Sequence, residues 1–184
     1  MERFGLFAII ALGEGVAQIV VGMAHDHVTA EVVVDGVAAF VLLAVVWWLY
    51  FDFGSAAAEV ALRARPEQAY RIALQGFVLG HFLSVAGVMT VAAGLGQLIA
   101  GPDHVLGLRL VCAGLALYLT NNAFLGGRLL RVPLRRIATW YLPTIATLLT
   151  LALLTHHVPP AAAVLAIAAV MTATSFLGLR TNRT

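Results

Sequence analysis

Apolar residues along this chain gather in long blocks and do not recur with a short period. The blocks cover approximately residues 4–24, 33–53, 72–100, 105–126, 137–155 and 159–179. Short pieces rich in charge, Pro and Gly separate them: HDHVTAE, SAAAEVALRARPEQAYR, GPDH, GGRLLRVPLRR and HHVPP. Each block matches or exceeds the ~20 residues that an α-helix needs to cross the hydrocarbon core of a bilayer. None alternates with period two over enough residues for a barrel strand. With no water to satisfy the backbone inside lipid, such runs must be helical. The pattern predicts an all-α, polytopic transmembrane helical bundle of about six spans, forming one domain over residues 1–184. The third block is longer than a bilayer requires and contains Gly76, Gly80, Gly87, Gly94 and Gly96, so tilting, a kink or an interfacial piece must absorb the excess. Gly76 and Gly80 stand at the GxxxG spacing that lets membrane helices approach closely.

Composition narrows the picture. Of 184 residues, 61% are apolar and 11% charged, against about 25% charged in an ordinary soluble domain. The formal net charge is +2. All eleven basic residues are Arg. A chain without Lys cannot form the Schiff base that a retinal protein needs, and no other cofactor is expected. The arginines fall at helix ends and not on one basic face, which argues against a nucleic-acid partner. Cys112 is the single cysteine, inside an apolar run, so there is neither an intramolecular disulfide nor a cysteine metal cluster.

The same arginines orient the chain. Arg63, Arg65 and Arg71 follow the second block, Arg128, Arg131, Arg135 and Arg136 follow the fourth, and Arg180 and Arg183 lie in the tail. The other three connections hold none, although Arg109 lies just inside the fourth block. Positive residues stay cytoplasmic, so both termini are predicted to be cytoplasmic in a multi-pass protein of the inner (plasma) membrane. Trp47, Trp48 and Tyr50 close the second block, and Trp140 and Tyr141 open the fifth, as an aromatic interface on that inner side. The first block resembles a signal peptide only superficially, because Glu14 and Gln18 interrupt it, and it is read as a retained helix.

Polar residues inside the blocks are the candidate chemistry. Glu14 lies near the bilayer midplane, where a carboxylate must be protonated, paired, or facing a polar cavity. Gln18, one turn on, shares its face and is placed to hydrogen-bond it. Asp52 ends the second span, His81 lies near the cytoplasmic end of the third with Ser84 close by, and Tyr118, Asn121 and Asn122 form a polar patch on the inner half of the fourth. Tyr118 and Asn122, four apart, share a helix face. The outer loops collect His25 and His27 around Asp26, His104 beside Asp103, and His156 with His157, a set that suits zinc or pH sensing but at spacings that specify neither. Signatures of soluble enzymes (HExxH, GxSxG and the Walker A pattern) are missing.

The opening ERFGLFAIIALGEG, the segment WWLYFD at 47–52 and the glycine-bearing third span beginning near YRIALQGFVLG resemble the bacterial low temperature requirement A (LtrA) family. Arg3, Gly5, Glu14, Trp47, Trp48, Tyr50 and Asp52 occupy its motif positions. Members are typically about twice this long, with the ERFGL motif near mid-chain, so the resemblance implies correspondence to a C-terminal half. A homodimer or a second half-protein would then complete the assembly. The expected function is a secondary transporter or an ion or proton pathway component in which Glu14 responds to a small solute, cation or proton. The alternatives are an intramembrane enzyme acting on a lipid or isoprenoid, using Glu14 or Asp52 as acid and the Trp47, Trp48 and Tyr50 rings for cation–π contact, and a non-catalytic sensor or assembly subunit.

Overall fold

A computed structural model of the chain describes residues 2–24, 29–51, 67, 70, 73–101, 103–129, 132–154 and 157–181, with the side chains of 2–4, 73, 75–77, 129, 140 and 177–181 not described. Among these residues there are six α-helices: α1 (Glu2–Ala24), α2 (Ala30–Leu49), α3 (His81–Ala100), α4 (His104–Leu129), α5 (Leu134–Leu153) and α6 (Pro160–Thr181). A π-helical stretch, Ala73–Gly80, leads directly into α3. The third block is therefore divided between two helix types. Five helices are long and apolar enough to cross a membrane. In α6 the described apolar stretch is Pro160–Phe176.

Helix ends are set locally. Thr29 precedes α2 with its hydroxyl accepting from the Val32 amide at 3.3 Å, and Asp103 starts α4 by accepting from the Leu106 amide at 2.9 Å. Both side chains occupy backbone donors that an unextended helix leaves open. Pro133 precedes α5 and Pro160 opens α6, positions where a missing N–H loses nothing.

Contacts between helices define the order of traverses. Phe7 of α1 meets His81 at the start of α3, and Gly22 meets Ile99 near its end, so α1 and α3 run parallel. Gly5 faces Phe51 and Gly15 faces Leu43, so α2 returns antiparallel to α1. Gly94 and Gly87 of α3 face Gly107 and Gly114 of α4 in reverse order. Thr144 of α5 meets Thr174 of α6, and Trp48 of α2 meets Phe176 of α6. The chain therefore ends on the face of the bundle where it starts. Buried residues from all six helices form one continuous cluster that includes Leu42, Leu95, Leu98, Leu115, Val164 and Ile167.

The tightest seam is α3 against α4. A methyl group built on Gly87 would lie 2.8 Å from the Gly114 carbonyl oxygen, and one on Gly114 would lie 2.6 Å from the Gly87 carbonyl oxygen. Gly94 and Gly107 are equally crowded, by the Val111 amide at 2.7 Å and the Leu98 amide at 2.7 Å. Without side chains at these four points, two backbones touch directly, which is how membrane helices gain contact when burial of apolar surface offers no advantage over lipid. The close approach uses glycines seven apart on both helices. The carbonyl of Gly80, from the Gly76–Gly80 pair, accepts a hydrogen bond from Asn121 of α4.

Candidate functional site

Glu14 sits in the middle of α1. The Gln18 side-chain amide donates to its Oε1 at 2.8 Å, as the four-residue spacing on one helix face requires. Gln18 is held in turn by α3, because a Cβ at Gly96 would stand 2.6 Å from Gln18 Oε1. A glycine there leaves the space in which the amide lies. Glu14 itself is exposed on the outside of the bundle, among Phe7, Ile10 and Val21, which are 60%, 68% and 63% exposed.

Along the same α1/α3 seam lies His81. Its Nδ1 is 3.0 Å from the Tyr50 hydroxyl, and its ring meets those of Tyr50 and Phe7 edge-on with centroids 5.9 and 6.4 Å away. Phe7 and Glu14 are seven residues apart on one face of α1, which sets Glu14 roughly 10 Å along the helix axis from the level of His81. Two titratable side chains thus border one seam at two depths.

A second polar group lies behind His81. Asn121, buried on α4, donates from Nδ2 to the Gly80 carbonyl at 2.7 Å and to Ser84 Oγ at 2.9 Å. Gly80 is the residue at which the π-helical turn becomes α-helical, and π-turns inside helices recur at functional sites. Tyr118 is buried with its hydroxyl bonded to the Asn122 side chain. The expected patch on α4 is therefore divided: Tyr118 pairs with Asn122 on its own helix, while Asn121 ties α4 to α3. On the far side of the bundle Thr144 and Thr174 join at 3.3 Å. Thr174 Oγ1 also lies within hydrogen-bond distance of the Val170 and Met171 carbonyls, at 2.9 and 3.2 Å.

Trp47, Trp48 and Tyr50 diverge. Trp47 packs on Phe51, Trp48 on Phe176, and Tyr50 on His81 and Phe51. Phe51 is thus shared by Trp47 and Tyr50, while Trp48 reaches α6. Asp52, His25, His27, His156 and the arginines 63, 65, 71, 131 and 183 lie outside the described residues. Of the outer-loop histidines that are described, His157 is exposed, and His104 donates from Nδ1 to the Leu98 carbonyl at 2.7 Å, closing the α3–α4 turn. Among the described residues no three His, Cys, Asp or Glu side chains gather as a metal-binding group.

One carboxylate escaped the sequence reading. Asp35, one turn into α2, accepts a hydrogen bond from the backbone amide of Ala161, with the His104 and Glu31 side chains nearby. Ala161 is the second residue of α6, so a neighbouring helix supplies the acceptor that α6 lacks at its own start. An acidic residue inside an apolar run was the available signal.

Taken together, the helices and the polar groups between them define a polytopic α-helical membrane protein. The model of the bacterial low temperature requirement A protein (LtrA) family matches residues 1–176, and the chain belongs to that family. No curated protein and no solved structure matches it.

Proposed function

We propose that this LtrA-family protein is a secondary transporter or an ion or proton pathway component of the bacterial inner membrane, with Glu14 as its protonatable group. The observation that carries this reading is the Gln18–Glu14 hydrogen bond of 2.8 Å in the middle of α1, on a face otherwise made of apolar residues. A charged carboxylate at the bilayer centre costs at least ~2.5 kcal/mol. Protonation removes most of that cost, and Gln18 then supplies a hydrogen-bonding partner in either state. A group balanced in this way changes charge when a cation or proton passes. His81, on the same α1/α3 seam, offers a second protonatable stop nearer the end of the bundle that bears both termini. Arg128, Arg135 and Arg136 at that end support a cytoplasmic placement by the positive-inside tendency.

The test is Glu14→Gln in protein reconstituted into liposomes that carry an internal pH indicator and a potassium diffusion potential. Glutamine keeps the shape and the hydrogen bond and removes the titration. Wild-type vesicles should change internal pH and the variant vesicles should not, while both proteins fold alike by circular dichroism. Equal flux through the two proteins would remove Glu14 from the mechanism.

A further inference from the structure

The end of α4 and the start of α5 lie side by side and carry arginines. The Val132 amide donates to the Gly126 carbonyl at 3.2 Å, which folds the connection back on α4, and a Cβ on Gly127 would lie 3.2 Å from Ile137 Cδ1. Arg128 in the last turn of α4 and Arg135 and Arg136 in the first turn of α5 are exposed there. The Arg128 guanidinium lies over the Phe124 ring, 5.9 Å from its centroid. Arg128 continues an exposed row of α4 that includes Leu117 and Phe124, and Arg135 heads an exposed row of α5 that includes Leu142 and Leu149. Spacings of four and seven keep each row on one helix face. Both arginines therefore stand where outward-facing apolar surface meets the connecting loop.

The charge of this region is one-sided. After Asp103 the chain contains no Asp or Glu, and Arg131 adds a fourth arginine to the same connection. The first turn of α5 holds no acidic residue, and its arginines add to the positive pole of the helix dipole. The local field favours an anion.

We propose that the α4–α5 hairpin binds an anionic phospholipid, its phosphate held by Arg128 and Arg135 and its acyl chains lying on the exposed rows. A guanidinium meets a phosphate with two parallel N–H donors. The rows run from the arginines into the hydrocarbon layer, where acyl chains fit and a water-soluble acidic partner has nothing to place. A zwitterionic lipid offers the same phosphate but brings a cation that the arginines repel. Net negative charge is thus what the hairpin selects, at about fivefold in affinity per arginine.

Native mass spectrometry of the purified chain, titrated in micelles with phosphatidylglycerol or phosphatidylcholine of identical acyl chains, tests this selection. Phosphatidylglycerol should bind more tightly, and Arg128→Gln and Arg135→Gln should each weaken it about fivefold. Arg109→Gln removes an exposed arginine near the other end of α4 and should leave the binding unchanged. Equal binding of the two lipids, an equal loss in Arg109→Gln, or wild-type binding by an Arg128→Gln, Arg135→Gln double variant would overturn the proposal. So would displacement of the lipid at constant ionic strength by inorganic phosphate, which would assign the arginines to a free anion, or by a polyglutamate peptide, which would assign them to an acidic protein. The wild-type protein gives a second measurement that no folding defect can mimic. In liposomes, phosphatidylglycerol with a photoreactive diazirine in its acyl chain should label α4 and α5 along the rows of Leu117 and Leu142, and labelling confined to other helices would also overturn it.

Discussion

Gly114→Ala probes the contact on which the α3–α4 seam depends. The added methyl carbon would lie 2.6 Å from the Gly87 carbonyl oxygen and 2.8 Å from the Val91 amide nitrogen. Both obstacles are backbone atoms of a helix, so neither can swing aside. Ordinary contact begins at 3.4 Å, and the two helices must part by about 0.8 Å, the difference between 2.6 and 3.4 Å. A gap of that width forfeits a quarter to a half of the dispersion attraction between facing atoms. The atoms concerned include Leu95, Val111 and Leu115, each with 0% exposure. Overpacking of this kind costs ~1–3 kcal/mol, partly offset by the better helix propensity of alanine, up to ~1 kcal/mol. Gly126→Ala in the same helix isolates the packing effect, because a Cβ at Gly126 meets nothing within 4 Å. Propensity cancels between the two variants, so unfolding in mixed micelles should place Gly114→Ala ~1–3 kcal/mol below Gly126→Ala. Equal stability of the two proteins would refute direct backbone contact between α3 and α4.

Three further substitutions address the polar contacts. Asn121→Leu removes two donated hydrogen bonds to Gly80 and Ser84 and should lower stability by ~1–2 kcal/mol, since such bonds in membranes average only ~0.6 kcal/mol each but a buried carbonyl is left without its donor; wild-type stability would count against the assignment. Asp35→Ala should loosen the first turn of α6 by ~0.5–2 kcal/mol, whereas Asp35→Asn keeps an acceptor oxygen for the Ala161 amide and should fall between Asp35→Ala and wild type; amide exchange at Ala161 reads the difference. A double-mutant cycle of Thr144→Val and Thr174→Val should return a coupling of about 0.6 kcal/mol, and zero coupling would mean that the 3.3 Å approach is not a hydrogen bond.

The residues themselves show why some of this was legible in advance. Five of the six apolar blocks lie within about four residues of α1, α2, α4, α5 and α6, and the third covers α3 together with the π-helical stretch before it, because a bilayer imposes both a minimum length and internal backbone pairing on whatever crosses it. The Glu14–Gln18 bond and the Tyr118–Asn122 bond follow from four-residue spacing alone, since both partners ride on one helix. Nothing comparable marks the faces. In α2, Val37 and Phe40 are 58% and 55% exposed while Leu42 and Val46 are fully buried, and the four are equally apolar. In water the polar side of a helix reveals its outward face; in lipid both sides are greasy and the periodicity is lost.

The sequence by itself therefore determined the number of helices, the membrane setting, the family, and the presence of a carboxylate at mid-span with its partner one turn away. Only the tertiary structure decided that Glu14 faces outward from the bundle, that Gly96 holds Gln18 in place, and that Gly87 and Gly114 bring α3 and α4 into backbone contact. It alone showed that Asn121 binds the carbonyl at the π-to-α junction and that Asp35 serves the start of α6. Contacts within a helix are set by its rise and turn. Contacts between helices depend on which neighbours the folded bundle supplies, and no local period encodes that choice.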